Sequence, residues 1–237
     1  ITGTFSDYTA EYTKCDNPTG LIGDPYVGKK YGEIWGYKVD GLFRNDKEAA
    51  EYASRIDLST VASGYYTATG AYGKGVRGGD IKYLDLNGDN IVNGGKGTLD
   101  DPGDRRVIGN SSPRYQYGAS LNFSWYGFDV SVFMQGIGRL DWYPGADNLR
   151  FWGPYCRPYA TFVPKNFMSQ VWSEENPDAY FPRARAYTSL NSNSGTAYYT
   201  NDRYLQNLAY CRLKNLTIGY TIPRRLTPKV GMKECRI

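Results

Sequence analysis

RYQYGASLNFSW, residues 114–125, is the stretch that decides the fold class of this chain. Its odd positions are all apolar or aromatic, whereas the even positions after Arg114 are polar or very small. The odd positions are Tyr115, Tyr117, Ala119, Leu121, Phe123 and Trp125. Such period-two alternation predicts a β-strand with one apolar and one polar face.

A second strand follows at once. Tyr126-Gly127 is typical of a tight turn, because both residue types tolerate or favour turn conformations. Beyond it the alternation resumes, with Phe133 as its one exception. The apolar positions there are Phe128, Val130, Val132 and Met134. The sequence therefore predicts a β-hairpin over residues 114–135.

The length of this hairpin bears on its surroundings. Strands of soluble proteins most often have about five or six residues, whereas a tilted membrane-crossing strand needs about nine to eleven. The apolar face also begins and ends in aromatic residues, as in the girdles of outer-membrane barrels. We therefore predict that lipid contacts Tyr115, Tyr117, Leu121, Phe123, Trp125, Val130 and Val132. A long hairpin of a soluble sandwich, with the same face packed inward, is the competing interpretation.

Composition excludes several classes of function. No apolar run reaches the about eighteen residues of a transmembrane helix, and the mean hydropathy is −0.57. The net charge of +4 is too slight and too evenly spread to indicate nucleic-acid binding. The 237 residues include no histidine, which removes the commonest general base and metal ligand. The adjacent acids Asp100 and Asp101 have no fixed separation for glycoside hydrolysis, so no enzyme is predicted.

A short acidic loop has part of a calcium-binding pattern. Asp85, Asn87 and Asp89 are two residues apart, and a hard cation takes oxygen ligands from alternate residues of a tight loop. Asn90 and Lys96 stand where an EF-hand has glycine and its closing acid, so that acid must come later. The candidate ligands of this structural calcium are Asp85, Asn87, Asp89, Ile91, Asn93 and Asp104. The competing interpretation is a turn whose Asp and Asn side chains bond their own backbone. No other cofactor is required.

The rest of the chain contains fewer regular elements. We predict strands over 33–43 and 208–222, a bulge near Lys214-Asn215, and one helix within 45–59. Residues 139–209 form a long irregular segment, which in compact domains is usually functional. Aromatic side chains there are candidates for substrate or partner contact, namely Trp142, Tyr143, Trp152 and Tyr155. The cysteines Cys15, Cys156, Cys211 and Cys235 lack Cys-x-x-Cys spacing, and free thiols or any of three pairings remain open.

Several blocks resemble one family when taken together and in order. They are GEIWGYKVDGLF (32–43), GGDIKYLDLNGDN (78–90), LDDPGDRRVIGNSSPRYQYG (99–118), ENPDAYFPR (175–183) and YLQNLAYCRLKNLTIGYTIPRRL (204–226). Together they cover much of the chain and resemble the C-terminal part of the barrel in SusC/RagA-family TonB-dependent outer-membrane transporters of Bacteroidetes. The resemblance implies an all-β fold, a segment of a large antiparallel transmembrane β-barrel with long extracellular loops, over residues 1–237.

The resemblance also implies a function and partners. Such transporters import oligosaccharides, or in some members peptides, across the outer membrane with energy from TonB. A SusD-like surface lipoprotein closes over the barrel, and the transporter–lid units pair as a dimer. These residues contain neither a plug domain nor a final strand that ends in an aromatic residue. We therefore expect an internal piece of a longer protein, with the TonB contact in the N-terminal part outside these residues.

The main alternative is a soluble extracellular β-sandwich that binds glycan and is stiffened by calcium. It would bury the same alternating faces as a core and would hold sugar through Trp142, Trp152 and Tyr155. Detergent dependence separates the two hypotheses, because a sandwich needs no detergent.

Overall fold

The computed structural model describes residues 1–7, 9–67, 75–156, 163–185, 197–223 and 236. The chain forms two compact units that alternate along the sequence. The sheet unit comprises Ile1–Ala10, Ser111–Asp141 and Asn207–Ile237, and the loop unit comprises Glu11–Asn110 and Trp142–Gln206.

The regular structure is mainly β. The strands are β1 (Thr2–Ser6), β2 (Glu33–Tyr37), β3 (Val39–Leu42), β4 (Ile81–Tyr83), β5 (Arg105–Asn110), β6 (Arg114–Trp125), β7 (Phe128–Arg139), β8 (Asp141–Trp142), β9 (Gln206–Asn207) and β10 (Tyr210–Tyr220). The helices are α1 (Asp46–Ala53), α2 (Ser63–Thr67) and α3 (Leu149–Trp152), with one-turn 3₁₀ helices at Gly153–Tyr155 and Phe167–Gln170. The prediction of an all-β class is confirmed.

The sheet unit is an antiparallel sheet of four strands in the order β1-β6-β7-β10. The predicted hairpin is confirmed as β6 and β7, both twelve residues long. Tyr126 and Gly127 join them with φ angles of 50° and 89°. Positive φ at both central residues is what a type I′ turn requires, and this turn suits the twist of the strands it connects.

Register places the apolar residues of the strands on one face. Leu121 lies opposite Val132, and Phe123 lies opposite Val130. On the next strand a bulge separates Leu213 from Asn215, which confirms the predicted irregularity at Lys214-Asn215. The bulge shifts the alternation by one residue, so that residues on both sides of it share the apolar face.

All long connections of the sheet leave from one end. Tyr126-Gly127 closes the hairpin at the other end, whereas Arg114 and Arg139 are paired where β6 begins and β7 ends. Ser6 lies opposite Gln116, so β1 also ends at this edge. Residues 7–113 and 140–209 therefore start and finish at the same end of the sheet.

The loop unit contains two small antiparallel ladders, β2 with β5 and β3 with β4. The prediction of one strand over 33–43 was wrong, because the chain changes partners at Lys38. The side chain of Asp202 lies at this change of partner, where it accepts a hydrogen bond from the Val39 amide (3.1 Å) and pairs with the Lys38 ammonium (3.1 Å).

The helix predicted within 45–59 is α1, and Asn45 caps its start. The Asn45 side chain accepts a hydrogen bond from the Glu48 amide, while the Glu48 carboxylate accepts one from the Arg44 amide, so each residue supplies an acceptor to the helix start. The helix ends at Ala53, earlier than predicted, and α2 and α3 were not predicted. None of the helices in the described part of the chain is long and apolar enough to cross a membrane.

The buried apolar core belongs entirely to the loop unit, as far as the described residues show. Its largest fully buried members are aromatic and aliphatic side chains. These include Trp152, Tyr65, Tyr83, Tyr155, Tyr204, Phe43 and Leu58. Both segments of the loop unit thus contribute to one core, although only a minor part of this unit is helix or strand.

Candidate functional site

The sheet unit has several large apolar side chains that are exposed. Leu121, Phe123 and Trp125 are 44%, 56% and 63% exposed, which is unusual for large apolar side chains in regular alternation. Neighbouring strands extend the surface with further exposed side chains. These are Phe5, Phe128, Met134, Leu213, Leu216 and Ile218. We call this set, with the seven residues predicted to contact lipid, the apolar face.

The apolar face has aromatic residues at both ends. Tyr115 stacks on Phe5 at one end, and Phe128 packs on Tyr220 at the other. From Tyr115 to Trp125 the strand spans about 34 Å at roughly 3.4 Å per residue. A tilt of about 45° reduces that length to about 24 Å of height, close to the about 25 Å apolar band of outer-membrane barrels.

Tyr117 lies across a glycine of the neighbouring strand. Its ring occupies the space that a side chain at Gly136 would need, and its hydroxyl donates a hydrogen bond to the Tyr210 carbonyl (3.3 Å). Tyr115 lies beside Gly138 in the same way. These contacts explain why the two tyrosines are half-buried while Leu121 and Phe123 project from the sheet.

The opposite face of the sheet presents amides and hydroxyls. Ser131 donates a hydrogen bond to Asn122 (2.8 Å), and Ser124 donates one to Asp129 (2.9 Å). The exposed Phe133 is the apolar exception that the sequence had indicated. The sheet thus has one face suited to an apolar medium and one suited to water.

The predicted calcium ligands form a single loop in the loop unit. The Asp85 carboxylate accepts hydrogen bonds from the Gly88 and Asn90 amides at 2.7 and 2.9 Å, and Asp89 accepts one from Ile91. Fully buried Asp104 accepts three, from the amides of Leu86, Asn87 and Asn93. Asn93 caps the Gly95 amide.

These are the hydrogen bonds expected from the competing interpretation, a turn whose Asp and Asn side chains bond their own backbone. Within the described residues, no group of three or more histidine, cysteine or acidic side chains is arranged to hold a metal ion. The calcium site therefore stays a prediction. Of the cysteines, Cys15 and Cys211 are free thiols, and Cys235 lies outside the described residues.

Two of the four aromatic residues predicted to contact a ligand lie in the core. Trp152 and Tyr155 are 0% and 2% exposed. The Trp152 indole donates to the Pro144 and Gly145 carbonyls, and the Tyr155 hydroxyl donates to the Pro182 carbonyl (2.6 Å). Their burial leaves no surface for a ligand, which corrects this part of the prediction. Trp142 is 37% exposed and Tyr143 is half-buried, so for these two the contact stays a prediction.

Tyr143 lines a cleft in the loop unit. The cleft has a volume of about 580 Å³ and is lined by Tyr143, Gly145, Ala146, Asp147, Tyr198, Tyr199 and Thr200. The Tyr143 hydroxyl donates to the Tyr199 carbonyl (3.1 Å) and accepts from the Asn201 side chain (3.2 Å). Burial raises the pKa of Tyr143 well above its ordinary value, so this hydroxyl stays protonated at physiological pH.

Asn201 fixes the wall of this cleft. It is fully buried, and its amide donates to the Tyr143 hydroxyl and to the Tyr199 carbonyl (2.8 Å). Its carbonyl oxygen accepts from the Tyr204 amide (3.3 Å). Sequence reasoning did not select Asp147 or Tyr198 as site residues, because a lone acid in a turn and one tyrosine among many carry no local signal.

Comparisons with known proteins support a relationship to TonB-dependent receptors at the level of that family. The chain is 27% identical to TonB-dependent receptor P39 of Formosa agariphila, over 86% of this chain and 20% of that protein. It is 23% identical to TonB-dependent receptor P3 of the same organism, over 89% of this chain and 17% of that protein. No family model matches the chain. The chain spans a fifth or less of the length of the curated relatives it matches.

Proposed function

We propose that this chain is part of a TonB-dependent nutrient transporter of the outer membrane, and that the sheet unit forms part of its barrel wall. The observation that carries the proposal is the exposed apolar face with aromatic residues at both ends. In water such a surface favours aggregation, whereas in a bilayer it is matched to its surroundings. The similarity to TonB-dependent receptors supports the same conclusion.

The lengths of the connections between strands indicate which end of this proposed wall faces the periplasm. Outer-membrane barrels have short turns on the periplasmic side and long loops outside the cell. The Tyr126-Gly127 turn therefore lies toward the periplasm in this proposal, and residues 7–113 and 140–209 emerge on the extracellular side. The amide- and hydroxyl-rich face of the sheet lines the lumen.

The finer proposal follows the resemblance to the SusC/RagA family. The cargo is then an oligosaccharide or a peptide, TonB acts through a part of the protein outside these residues, and a SusD-like lipoprotein covers the outer mouth. Transporter–lid units would pair as a dimer.

The soluble sandwich remains the second candidate, and in it the apolar face of the sheet would be buried. A sandwich needs a second sheet packed about 10 Å above the apolar face. The exposure of Leu121, Phe123 and Trp125 favours the barrel wall over the sandwich.

A spin-label experiment tests the membrane proposal directly. Nitroxides are placed singly at Phe123→Cys and at its neighbour Asn122→Cys, with native cysteines replaced by serine, in protein reconstituted into lipid vesicles. We expect the label at 123 to be relaxed by oxygen, which concentrates in lipid, and the label at 122 by a water-soluble nickel chelate. Equal access of the nickel chelate at both positions would contradict the lipid-facing assignment.

A further inference from the structure

We propose that the cleft formed by Tyr143, Asp147 and Tyr198 is a binding site for a protonated amine. The amine would be carried by a basic side chain of a peptide or by an amino sugar. The cleft lies within the loop unit, so the proposal does not depend on whether the sheet unit contacts lipid.

Charge is the first argument for a cation. Asp147 is the only charged side chain among the described residues that line the cleft, and it is exposed. Among the described residues, no lysine or arginine forms an ion pair with it. A carboxylate attracts an ammonium group and repels phosphate, sulfate or carboxylate.

Aromatic surface is the second argument. Tyr198 is 41% exposed and is held edge-to-face against Tyr199, with ring centroids 5.2 Å apart and planes at 88°. The face of such a ring attracts a cation through its quadrupole. Tyr143 contributes its ring rather than its hydroxyl, because that hydroxyl is already bonded to Asn201 and to the Tyr199 carbonyl.

The third argument is that part of the cleft wall is already ordered. Buried Asn201 bonds to Tyr143 and Tyr199, and the Tyr37 amide bonds to the Thr200 carbonyl (2.9 Å). A ligand that meets a wall fixed in this way loses less free energy to ordering the protein. The Tyr143 ring is thus held in place by the protein itself, while the Asp147 carboxylate has no ion-pair partner among the described residues and can bind an ammonium group.

Calorimetry of the detergent-solubilised protein with three tetramers tests the proposal. Tetralysine and the chitosan tetramer carry protonated amines in mildly acidic buffer, and the fully N-acetylated chitosan tetramer is the neutral control. We expect one or both cationic tetramers to bind at least about tenfold more tightly than the neutral control. Which of them binds identifies the source of the amine. Equal binding of the neutral tetramer, or binding of none, would overturn the proposal.

Four variants then assign the binding to this cleft. Asp147→Asn should weaken cationic binding at least about tenfold, whereas Asp178→Asn, at an exposed acid outside the cleft, should leave it unchanged. Tyr198→Phe should retain binding because the ring remains, and Tyr198→Leu should lose it. Unchanged affinity in Asp147→Asn would overturn the proposal, whatever the spin labels report about lipid.

Discussion

Leu121 in the sheet unit and Leu58 in the loop unit are the same side chain in opposite surroundings. Leu121 is 44% exposed on a regular strand, whereas Leu58 is fully buried between irregular segments. The more regular unit is thus the one without a core, and the less regular unit supplies its own. Backbone hydrogen bonds hold the four strands of the sheet together, whereas the large side chains of its apolar face are exposed and, in the proposed function, would meet lipid. The following variants test this contrast between the units.

The largest expected effect concerns the core of the loop unit. Arg185 pairs with fully buried Asp80 at 2.7 Å, and its guanidinium lies 4.0 Å from the centre of the Tyr65 ring. Arg185→Met would leave a buried carboxylate unpaired, at a cost of about 3–5 kcal/mol at pH 8. Thermal unfolding followed by near-ultraviolet circular dichroism measures this loss, which should be the same in every detergent. Lys38→Met, at the partly exposed Lys38–Asp202 pair, is the control and should cost less, about 1 kcal/mol.

The same variant predicts a pH dependence. Burial raises the pKa of Asp80 from 3.8 to about 7, despite the neighbouring Arg185. Because the folded-state pKa is raised, the contribution of this group is complete below pH 3.8 and is lost as the pH rises through 7. Removal of Arg185 raises the pKa of Asp80 further, so the variant should regain stability between pH 8 and pH 5. A deficit that is constant over this range would contradict the assignment.

The next effect separates the two faces of the sheet unit. Leu121→Arg places a charge on the apolar face and should cost about 2–4 kcal/mol of stability in a bilayer if that face meets lipid near its midplane. Asn122→Arg, one residue away on the polar face, is the matched control and should cost much less. Urea titration of protein folded into lipid vesicles gives both values. Equal losses would remove the distinction between the faces.

A smaller effect is expected where Tyr117 covers Gly136. Gly136→Ala would place a methyl group against the Tyr117 ring and the Tyr210 carbonyl, and such overpacking costs about 1–3 kcal/mol. Gly118→Ala is the control, because a methyl group there meets its neighbours at 3.4 to 3.6 Å. The same urea titration measures both variants. If the two alanines cost the same, the ring is not what requires glycine at position 136.

The smallest effect tests the predicted calcium site. Its carboxylates already accept backbone hydrogen bonds, so we expect binding as weak as in extracellular calcium modules. Calcium at a concentration equal to its dissociation constant then stabilises the protein by about 0.4 kcal/mol. Calorimetry should detect the heat, and Asp89→Asn should abolish it. Absence of heat up to high millimolar calcium would leave only the hydrogen-bonded turn.

The sequence predicted most of the sheet unit and little of the loop unit. The hairpin, its turn and the bulge at Lys214 follow from the identity of near neighbours, because side-chain direction in a strand repeats every two residues. The burial of Trp152 could not be predicted in this way, because it depends on packing against Phe181 and Tyr204, which are distant in sequence. Asp147 was missed for the same reason, because its cleft exists only once residues 198–200 have folded beside it.

The placement of every long connection at one end of the sheet has an evolutionary consequence. Doubling the length of a flexible connection costs only about 0.6 kcal/mol in closure entropy. Insertions, deletions and substitutions at exposed positions of residues 7–113 and 140–209, outside the buried core, can therefore accumulate while the strands retain their partners. If the sheet is part of a barrel wall as proposed, a lineage could in this way change what the connections bind while the strands that carry them stay the same.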